Sequence, residues 1–264
     1  MKKPLVSILI ACYNKEKYVK RCIKSCLNQT YKNLEIVFID DSSTDKSYLN
    51  AKKFKKVRVF KKKRKNFNSK FGTYHLLDTY LYGYNKSKGQ ILSFLDADDF
   101  FNKNKIRKIV NFFDNNSRNK ILFDKPIYYY SKNKFFLNND YKYSSKRKIW
   151  PKFPPTSCIS LKKSYFSKIK NELKPKNFNL LSMDFRLAVI SKFVFNDFKI
   201  LNEHLTFYFQ DEKGESSSNF KKFKKNWWLR RMQAHNYMKY LLKKNNLNYK
   251  NLDYSITKII NLFL

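Results

Sequence analysis

The chain of 264 residues contains little cysteine, little acid and no long apolar run. Its four cysteines include no C-x-x-C pair, which argues against a disulfide framework, a structural zinc site or a redox site and favours a reducing compartment such as the cytoplasm. No apolar run approaches the roughly 18 residues that a membrane span requires, so an integral membrane protein is not expected. The three histidines lack ligand spacing and do not indicate a histidine metal site.

Basic residues outnumber acidic residues by 57 to 20, which gives a formal net charge of +37 and a pI of about 10.0. Hydrophobic residues make up 42% of the chain, enough to form a packed core and to exclude wholesale disorder. Two segments, residues 52–70 and 216–252, are dense in Lys and Arg and contain no acid. This density attracts polyanions, so nucleic acid, an anionic bilayer and a nucleotide diphosphate are all candidate partners.

The first 115 residues alternate between apolar strands and amphipathic helices. Apolar runs at 5–12, 34–39 and 91–95 predict buried strands, and apolar residues between 19 and 26 lie on one face of a helix for which Asn14 is the predicted N-cap. A short signal peptide is the alternative for the first run, and the strand–helix pattern that follows disfavours it. Strand, helix and strand within forty residues predict parallel βαβ units and therefore a doubly wound α/β half.

Beyond residue 115 the alternation weakens into short predicted strands, with one predicted helix near residues 184–193. We predict a body over residues 1–215, divided into halves at 1–115 and 116–215, and a basic aromatic helical tail over 216–264, joined to the body by a Gly/Ser-containing linker.

The tail has two interpretations. Its aromatic and basic residues over 220–244 would suit a helix lying on an anionic membrane, as a peripheral protein on the inner face. The same periodicity would suit a helix that packs its rings on the body and turns its charges to water.

Acidic side chains cluster where two predicted strands end. Asp40 and Asp41 follow the second strand, and Asp96, Asp98 and Asp99 follow the fourth. Open parallel sheets bind ligands beyond the carboxyl ends of their strands, so these clusters predict a site. Two carboxylates in an Asp-x-Asp pattern can hold one Mg²⁺ or Mn²⁺ ion. Such a cation would neutralise the charge of a departing nucleoside diphosphate.

Three segments together resemble the successive signatures of the family 2 inverting glycosyltransferases: Val6 to Asn14, Ile39 to Asp45 and Phe94 to Asp99. The resemblance implies the GT-A fold, a doubly wound, mostly parallel sheet with a mixed acceptor-side region. It also implies that a sugar passes from a nucleotide-diphosphate donor, with a UDP-sugar the first choice, to a hydroxyl group. The acceptor would be a glycan or lipid-linked glycan in bacterial surface polysaccharide or lipooligosaccharide synthesis.

The resemblance also implies roles for individual residues. The donor nucleotide is expected to contact Ala11, Tyr13, Asn14, Asp41, Lys70, Asp96 and Ala97. Within this set, Tyr13 stacks on the base and Asp41 accepts a hydrogen bond from it. The cation is expected on Asp98 and Asp96. Asp184, at the start of a predicted helix, is expected to be the general base; its alternative role is a carboxylate that interacts with the helix macrodipole.

The sequence departs from the family pattern in two places. Residues 73–84 contain no arginine, so diphosphate contacts are expected from Lys65 or Lys70 instead. A late Arg-x-His element is replaced by residues 210–212, Gln-Asp-Glu, which leaves a catalytically dead transferase-fold scaffold as an alternative. A basic nucleic-acid-binding protein is the other alternative; it explains the lysine runs but not the aspartates, so we expect no nucleic acid among the partners.

Overall fold

A computed structural model describes residues 3–64, 73–130, 135–137, 153–210, 220–249 and 251–264. In these ranges the strands are β1 Val6–Cys12, β2 Leu34–Asp40, β3 Val57–Lys61, β4 Ile91–Asp96, β5 Phe100–Phe101, β6 Ile121–Tyr130, β7 Phe135–Leu137, β8 Ile159–Lys162 and β9 Ile200–Gln210. The helices are α1 Glu16–Leu27, α2 Ser47–Lys52, α3 Thr73–Lys86, α4 Lys105–Asn115, α5 Lys163–Leu173, α6 Met183–Val189, α7 Lys225–Lys244 and α8 Leu252–Asn261.

One sheet joins the described strands, with β1 near its centre. β1 pairs in parallel with β2 on one side and β4 on the other, and β3 extends the parallel part beyond β2. Every residue of β1 is buried, because helices cover both faces of the sheet. α1 and α4 pack on the face that holds Ile8, whereas α3, α5, α6 and α7 pack on the face that holds Leu9.

The second half of the sheet is mixed, as the resemblance implied. β8 pairs antiparallel with β4, and β6 pairs antiparallel with β8 and in parallel with β9. β6 is one continuous strand although the polar residues Asp124 and Lys125 interrupt its apolar sequence, because its pairing with β9 continues through register shifts on either side of Lys125.

Two helical features of this half differ from the sequence prediction. α5 was not predicted at all, although it buries Tyr165, Phe166, Ile169 and Leu173 on one face. α6 begins one residue before Asp184 and continues through a π-helical turn, Ile190–Val194.

One of the two interpretations of the tail, packing on the body, applies to its first helix, α7. α7 buries Tyr237, Met238, Leu241 and Leu242, and three of these belong to the core cluster that contains Leu9. α7 therefore packs on the body. The predicted boundary between residues 215 and 216 lies outside the described residues. No helix in the described part of the chain is long and apolar enough to cross a bilayer.

Candidate active site

The carboxyl end of β1 holds both acidic loops in place. The backbone N–H of Asp41 donates to the carbonyl of Cys12 at 2.8 Å, and that of Ala97 donates to the carbonyl of Ala11 at 3.0 Å. Neighbouring strands are about 4.8 Å apart, so the loops after β2 and β4 begin about 10 Å from each other on either side of β1. The two acidic clusters predicted from the sequence thus lie at one edge of the sheet.

The segment after β1 is locked to the loop after β2. Asn14 has a left-handed backbone with φ of 52°, and its Oδ1 accepts a hydrogen bond from the backbone N–H of Thr44 at 2.8 Å. Its own N–H donates to Ser43 Oγ at 3.0 Å. The prediction that Asn14 caps α1 is wrong, because its side chain is engaged in the neighbouring loop. The N-cap residue of α1 is Lys15, which has no capping side-chain bond.

Asp41 lies in a buried charge cluster beneath an exposed ring. Lys62 Nζ is 2.6 Å from Asp41 Oδ1 and 2.9 Å from Asp78 Oδ2. Arg64 Nε is 3.7 Å from the second carboxylate oxygen of Asp41, and the Arg64 guanidinium lies 4.0 Å from the centroid of the Tyr13 ring. Tyr13 is 43% exposed, so a planar ligand can reach its ring beside the buried carboxylate.

The loop after β4 concentrates negative charge. Asp96 Oδ1 accepts a hydrogen bond from the Tyr80 hydroxyl at 2.6 Å. Burial raises the pKa of the Asp96 carboxyl to about 7, and the charge of Asp98 adds to this rise. Lys15 Nζ is 2.6 Å from Asp98 Oδ2, and Arg21 donates to the Asp98 carbonyl at 2.8 Å. Burial opposes protonation of Lys15, yet the charge of Asp98 outweighs it and the Lys15 pKa is raised.

The remaining two acids of these clusters hold the loops together. Asp40 is fully buried and accepts a hydrogen bond from the backbone N–H of Ser43 at 3.0 Å. Asp99 accepts hydrogen bonds from the Ser157 hydroxyl and from the backbone N–H of Phe209, the latter at 2.8 Å. Asp99 thereby ties the end of β4 to β9.

Asp184 lies in the first turn of α6 with one oxygen fixed. Its Oδ1 accepts hydrogen bonds from the Ser182 hydroxyl and from the Phe185 backbone N–H, the latter at 2.7 Å. Its Oδ2 accepts no hydrogen bond from the described residues. Burial raises the pKa of the Asp184 carboxyl, while the Ser182 hydrogen bond and the charge of Arg230 oppose the rise. A carboxylate with one oxygen held and a raised pKa suits proton abstraction.

Asp184 and the loop after β4 belong to one electrostatic environment. After burial and Asp98, the charge of Asp184 also contributes to the raised pKa of Asp96. Burial raises the pKa of Tyr208 on β9, and four acids, including Asp96 and Asp184, add to it. Arg230 of α7 donates to the Ser182 hydroxyl at 3.3 Å. Residues from β4, α6, β9 and α7 therefore surround one polar region.

Several of these residues were not predicted from the sequence. Tyr208 and Arg230 are in no motif, and Arg230 lies in the segment predicted to be a separate tail. Lys62 and Arg64 belong to the basic run at 52–70, where composition indicated anion binding without selecting a residue. Of the predicted nucleotide contacts, Ala11 and Ala97 are buried backbone positions beside the site, and Lys70, like Lys65, lies outside the described residues.

Asp96 and Asp98 are the candidate ligands for a divalent cation. Within the described ranges, no three His, Cys, Asp or Glu side chains converge on one point. Two adjacent carboxylates are nevertheless enough for Mg²⁺ or Mn²⁺ when waters and phosphate oxygens complete the coordination. Burial and the charge of Asp98 raise the pKa of Asp96 because both disfavour a second ionised carboxylate here, and a bound cation would offset both. The pair therefore fits such an ion.

The sequence profile of the family "Glycosyl transferase family 2" matches residues 7–180, about two thirds of the chain. The chain belongs to this family. The matched segment includes both acidic loops at the end of β1 and ends just before α6, so it contains the donor-side residues but neither Asp184 nor Arg230.

This chain is similar to several curated proteins. It is 38% identical over 116 residues to an uncharacterized glycosyltransferase of Haemophilus influenzae, covering 42% of this chain and 43% of that one. It is 34% identical over 128 residues to the Escherichia coli protein named UDP-Glc:alpha-D-GlcNAc-diphosphoundecaprenol beta-1,3-glucosyltransferase WfaP, covering 48% and 47%. The aligned parts span less than two thirds of these relatives' length.

Among solved structures, Staphylococcus aureus TarS 1-349 in complex with UDP-GlcNAc superposes with a TM-score of 0.65 at 16% identity, over 97% of this chain and 71% of that one. This likeness confirms the GT-A fold that the resemblance implied. At this identity it shows the fold alone.

Proposed function

We propose that this protein is a metal-dependent inverting glycosyltransferase that moves a sugar from a UDP-sugar to a hydroxyl of a glycan or lipid-linked glycan. The observation that carries the proposal is geometric: the loops after β2 and β4 attach to adjacent residues at the carboxyl end of β1, and Ser182, which donates to Asp184, is also contacted by Arg230 of α7. A diphosphate at the loop after β4 would then place the sugar's anomeric carbon between the leaving group and a carboxylate that can take a proton.

The donor nucleotide would lie across the carboxyl end of β1. Its base would stack on the exposed Tyr13 ring, where the Arg64 guanidinium now lies 4.0 Å from the centroid. Asp41, buried and held by Lys62, offers an acceptor to the N–H of a uracil ring. Uracil is favoured because its imide N–H can donate a hydrogen bond to a buried carboxylate.

The transfer step uses Asp184 Oδ2, which accepts no hydrogen bond from the described residues. The acceptor hydroxyl attacks the anomeric carbon from the side opposite the diphosphate, and its proton passes to Asp184 Oδ2. The new C–O bond forms as the bond to the diphosphate oxygen breaks, so the configuration inverts. Lys15 and Arg21 fix the loop that bears Asp98, which keeps the developing negative charge of the leaving group near fixed positive groups.

A divalent cation, Mn²⁺ or Mg²⁺, would be held by Asp98 and Asp96 and would neutralise the charge of the departing diphosphate. Binding of a cation requires both carboxylates to be ionised, so it should release the proton that Asp96 retains near neutral pH.

The relatives support this substrate class without fixing it. WfaP is named as a glucosyltransferase that uses UDP-Glc and an undecaprenol-linked acceptor, and the Bacillus subtilis protein GgaB is named as a minor teichoic acid biosynthesis protein. The TarS complexes contain UDP and UDP-GlcNAc. A lipid-linked acceptor would also agree with peripheral association at the inner face of a membrane, which we include in the proposal.

The test compares the full chain with its Asp98→Asn and Asp114→Asn variants in a thermal-shift assay with UDP, alone and with Mn²⁺. A ligand that binds only the folded state raises the melting temperature. We expect UDP with Mn²⁺ to raise it for the parent chain and for Asp114→Asn, whose carboxylate is exposed on α4, and we expect the Mn²⁺-dependent part to vanish for Asp98→Asn.

Two results would contradict the proposal. If no nucleoside diphosphate shifts the melting temperature, the donor site is wrong. If UDP binds but neither transfer nor hydrolysis of a UDP-sugar is detected with any cation, the scaffold alternative replaces it.

A further inference from the structure

The outward face of α8 is an apolar stripe exposed to solvent. Five large apolar side chains are between 46% and 85% exposed here: Leu252, Ile256 and Ile259 at helical spacing within α8, and Leu262 and Phe263 directly after its end. Within the helix only Thr257 is fully buried. A contiguous exposed apolar stripe of this kind indicates a surface that another phase or molecule covers.

The stripe continues onto the segment that precedes α7. Asn261 Nδ2 donates to the carbonyl of Trp228 at 3.4 Å, and the Lys225 ammonium donates to the carbonyl of Leu264. These contacts bring the end of α8 against the start of α7. Phe223, which is 72% exposed, lies there with its ring centroid 6.3 Å from that of Trp228. Phe223 therefore extends the apolar surface of α8.

Positive charge surrounds this apolar surface. Four exposed lysines flank Phe223: Lys221, Lys222, Lys224 and Lys225. Among the described residues, none of these lysines pairs with a carboxylate. The acid of α8, Asp253, is already paired with Arg231 and His235. The patch thus combines apolar side chains at its centre with cationic groups at its edge.

We propose that this patch, formed by the α8 stripe, Phe223 and its four lysines, lies on an anionic lipid bilayer. The apolar side chains would enter the headgroup boundary while the lysines would meet the lipid phosphates. A second copy of this chain fits less well, because the same lysines would face each other and repel. The inference rests on the proposed function only in that a lipid-linked acceptor would be met at this surface.

The patch differs from the membrane surface that the sequence suggested. The sequence placed it over 220–244, but the apolar side chains of α7 are largely used in the core, and Phe220 is buried as well. From that segment Phe223 and its lysines belong to the patch, while Leu229 and Tyr240 are also exposed, at 37% and 40%. α8 supplies most of the apolar surface of the patch. Its apolar side chains are exposed, whereas polar groups such as Asp253 and Asn261 attach the helix to α7.

Vesicle sedimentation of the full chain tests the patch without any sugar donor. Vesicles of phosphatidylcholine with roughly a third phosphatidylglycerol are compared with pure phosphatidylcholine. We expect Ile259→Ser with Phe263→Ser to weaken binding to the anionic vesicles by about tenfold or more. The matched control, Leu49→Ser with Phe136→Ser, removes two other exposed apolar side chains, at 61% and 66% against 58% and 85%, and should bind as the parent chain does.

A second pair of variants tests the charge. Lys221→Gln, Lys222→Gln and Lys224→Gln together should lower binding to anionic vesicles by about tenfold or more, whereas Lys52→Gln, Lys55→Gln and Lys56→Gln remove equal charge and should have a much smaller effect. All variants should keep the parent melting temperature, since the changed side chains are exposed.

Equal binding of parent and patch variants would overturn the inference, as would absence of vesicle binding by the parent chain. A parent dimer in light scattering that the α8 variant dissolves would also overturn it in favour of a second copy. Because the measurement contains no nucleotide, its failure is separate from failure of the UDP thermal shift.

Discussion

The two sides of the active site are built by different means. On the donor side, the loops after β2 and β4 attach to adjacent residues of one buried strand, Ala11 and Cys12, through backbone hydrogen bonds. On the acceptor side, α6, β9 and α7 meet through side chains, such as the contact of Arg230 with Ser182. Backbone pairing tolerates many sequences, whereas side-chain contacts between distant segments require particular residues.

Each side also contains a buried lysine in an ion pair. Lys62 joins Asp41 and Asp78 on the donor side. Lys105 of α4 lies 2.6 Å from Asp124 of β6 and donates to Thr206 of β9, also at 2.6 Å. The first pair lies next to the ligand site, and the second fastens the acceptor-side strands to α4. The comparison suggests that the donor cluster serves binding and the acceptor cluster serves stability.

The largest expected effect is a loss of catalytic rate when a residue of the acceptor side alone is replaced. Replacing Asp184 by Asn should lower kcat by about 10²–10⁴-fold, because it removes the proposed general base while it can keep the hydrogen bonds from Ser182 and Phe185. The stabilisation by UDP with Mn²⁺ should change little, since loss of the Asp184 charge removes only one of several contributions to the raised pKa of Asp96. Steady-state kinetics and the thermal shift measure the two quantities, and Glu203→Gln, on the surface, is the control. Loss of UDP binding would contradict the separation of the two sides.

The pH dependence should report the same residue. Burial raises the pKa of Asp184, so its ionised form is lost at a higher pH than for an ordinary aspartate. We therefore expect kcat to fall as the pH is lowered toward this raised pKa. The Asp184→Asn variant should not show this fall of kcat at low pH. If the fall persists in the variant, another group causes it.

The next effect is on stability. Lys105→Met should lower the free energy of unfolding by about 3–5 kcal/mol, because it leaves Asp124 buried without its partner. Lys108→Met, one turn away in the same helix, breaks only a surface pair with Glu203 and should change it by less than about 1 kcal/mol. Urea denaturation measures both. Equal changes would mean that the buried pair does not fasten the acceptor side.

A smaller effect on stability is expected from a substitution on the donor side, and this substitution should stabilise the protein. The pKa of Asp96 is about 7 in the folded state and about 3.9 in an unfolded chain, so the folded state binds this proton more tightly. Stability is therefore lost as the pH rises from about 4 to about 7. Asp96→Asn, which can still accept from Tyr80, should raise the melting temperature at pH 8 by a few degrees, on the order expected for a chain of this size.

The controls for Asp96 are the pH and the ligand. At about pH 4 the variant and the parent should melt at nearly the same temperature, since Asp96 is then uncharged in the folded state and only about half ionised in the unfolded chain. At pH 8 the variant should gain less from UDP with Mn²⁺ than the parent does. If the variant is less stable than the parent chain at pH 8, the Asp96 carboxylate stabilises the fold and is not a destabilising group that serves ligand binding.

The smallest effect concerns the end of the tail. Asn251 caps α8 by accepting a hydrogen bond from the Asp253 N–H at 3.0 Å, so Asn251→Ala should destabilise this helix by about 1 kcal/mol. Hydrogen exchange should become faster in α8 and stay unchanged in α7, which is part of the core. Asn251→Ser should restore most of the protection, and equal acceleration in both helices would contradict their different attachment.

Much of the donor side could be predicted from the sequence. Apolar runs gave β1, β2 and β4, and the acids that follow them lie at one edge because parallel strands end together. The roles of single residues could not be predicted in the same way. Asn14 was expected to cap α1, yet its side chain binds the loop after β2, because the local pattern does not show which of two nearby partners is closer.

The acceptor side was less predictable. β6 and β9 pair across more than seventy residues, and α5 went unpredicted even though it buries one face. The tail was separated from the body by its charge, but α7 places Arg230 against Ser182 and packs its apolar face into the core. Composition describes the average of a segment, while burial depends on which face of a helix finds a partner.

The sequence alone determined the family, the parallel core and the acids at its edge, because periodicity and strand ends are local properties of the chain. Only the tertiary structure decided that Tyr208 and Arg230 join Asp184 beside Asp96, and that the exposed apolar face belongs to α8. These contacts join segments far apart in the chain, and their energies depend on distance and burial, which no single segment contains.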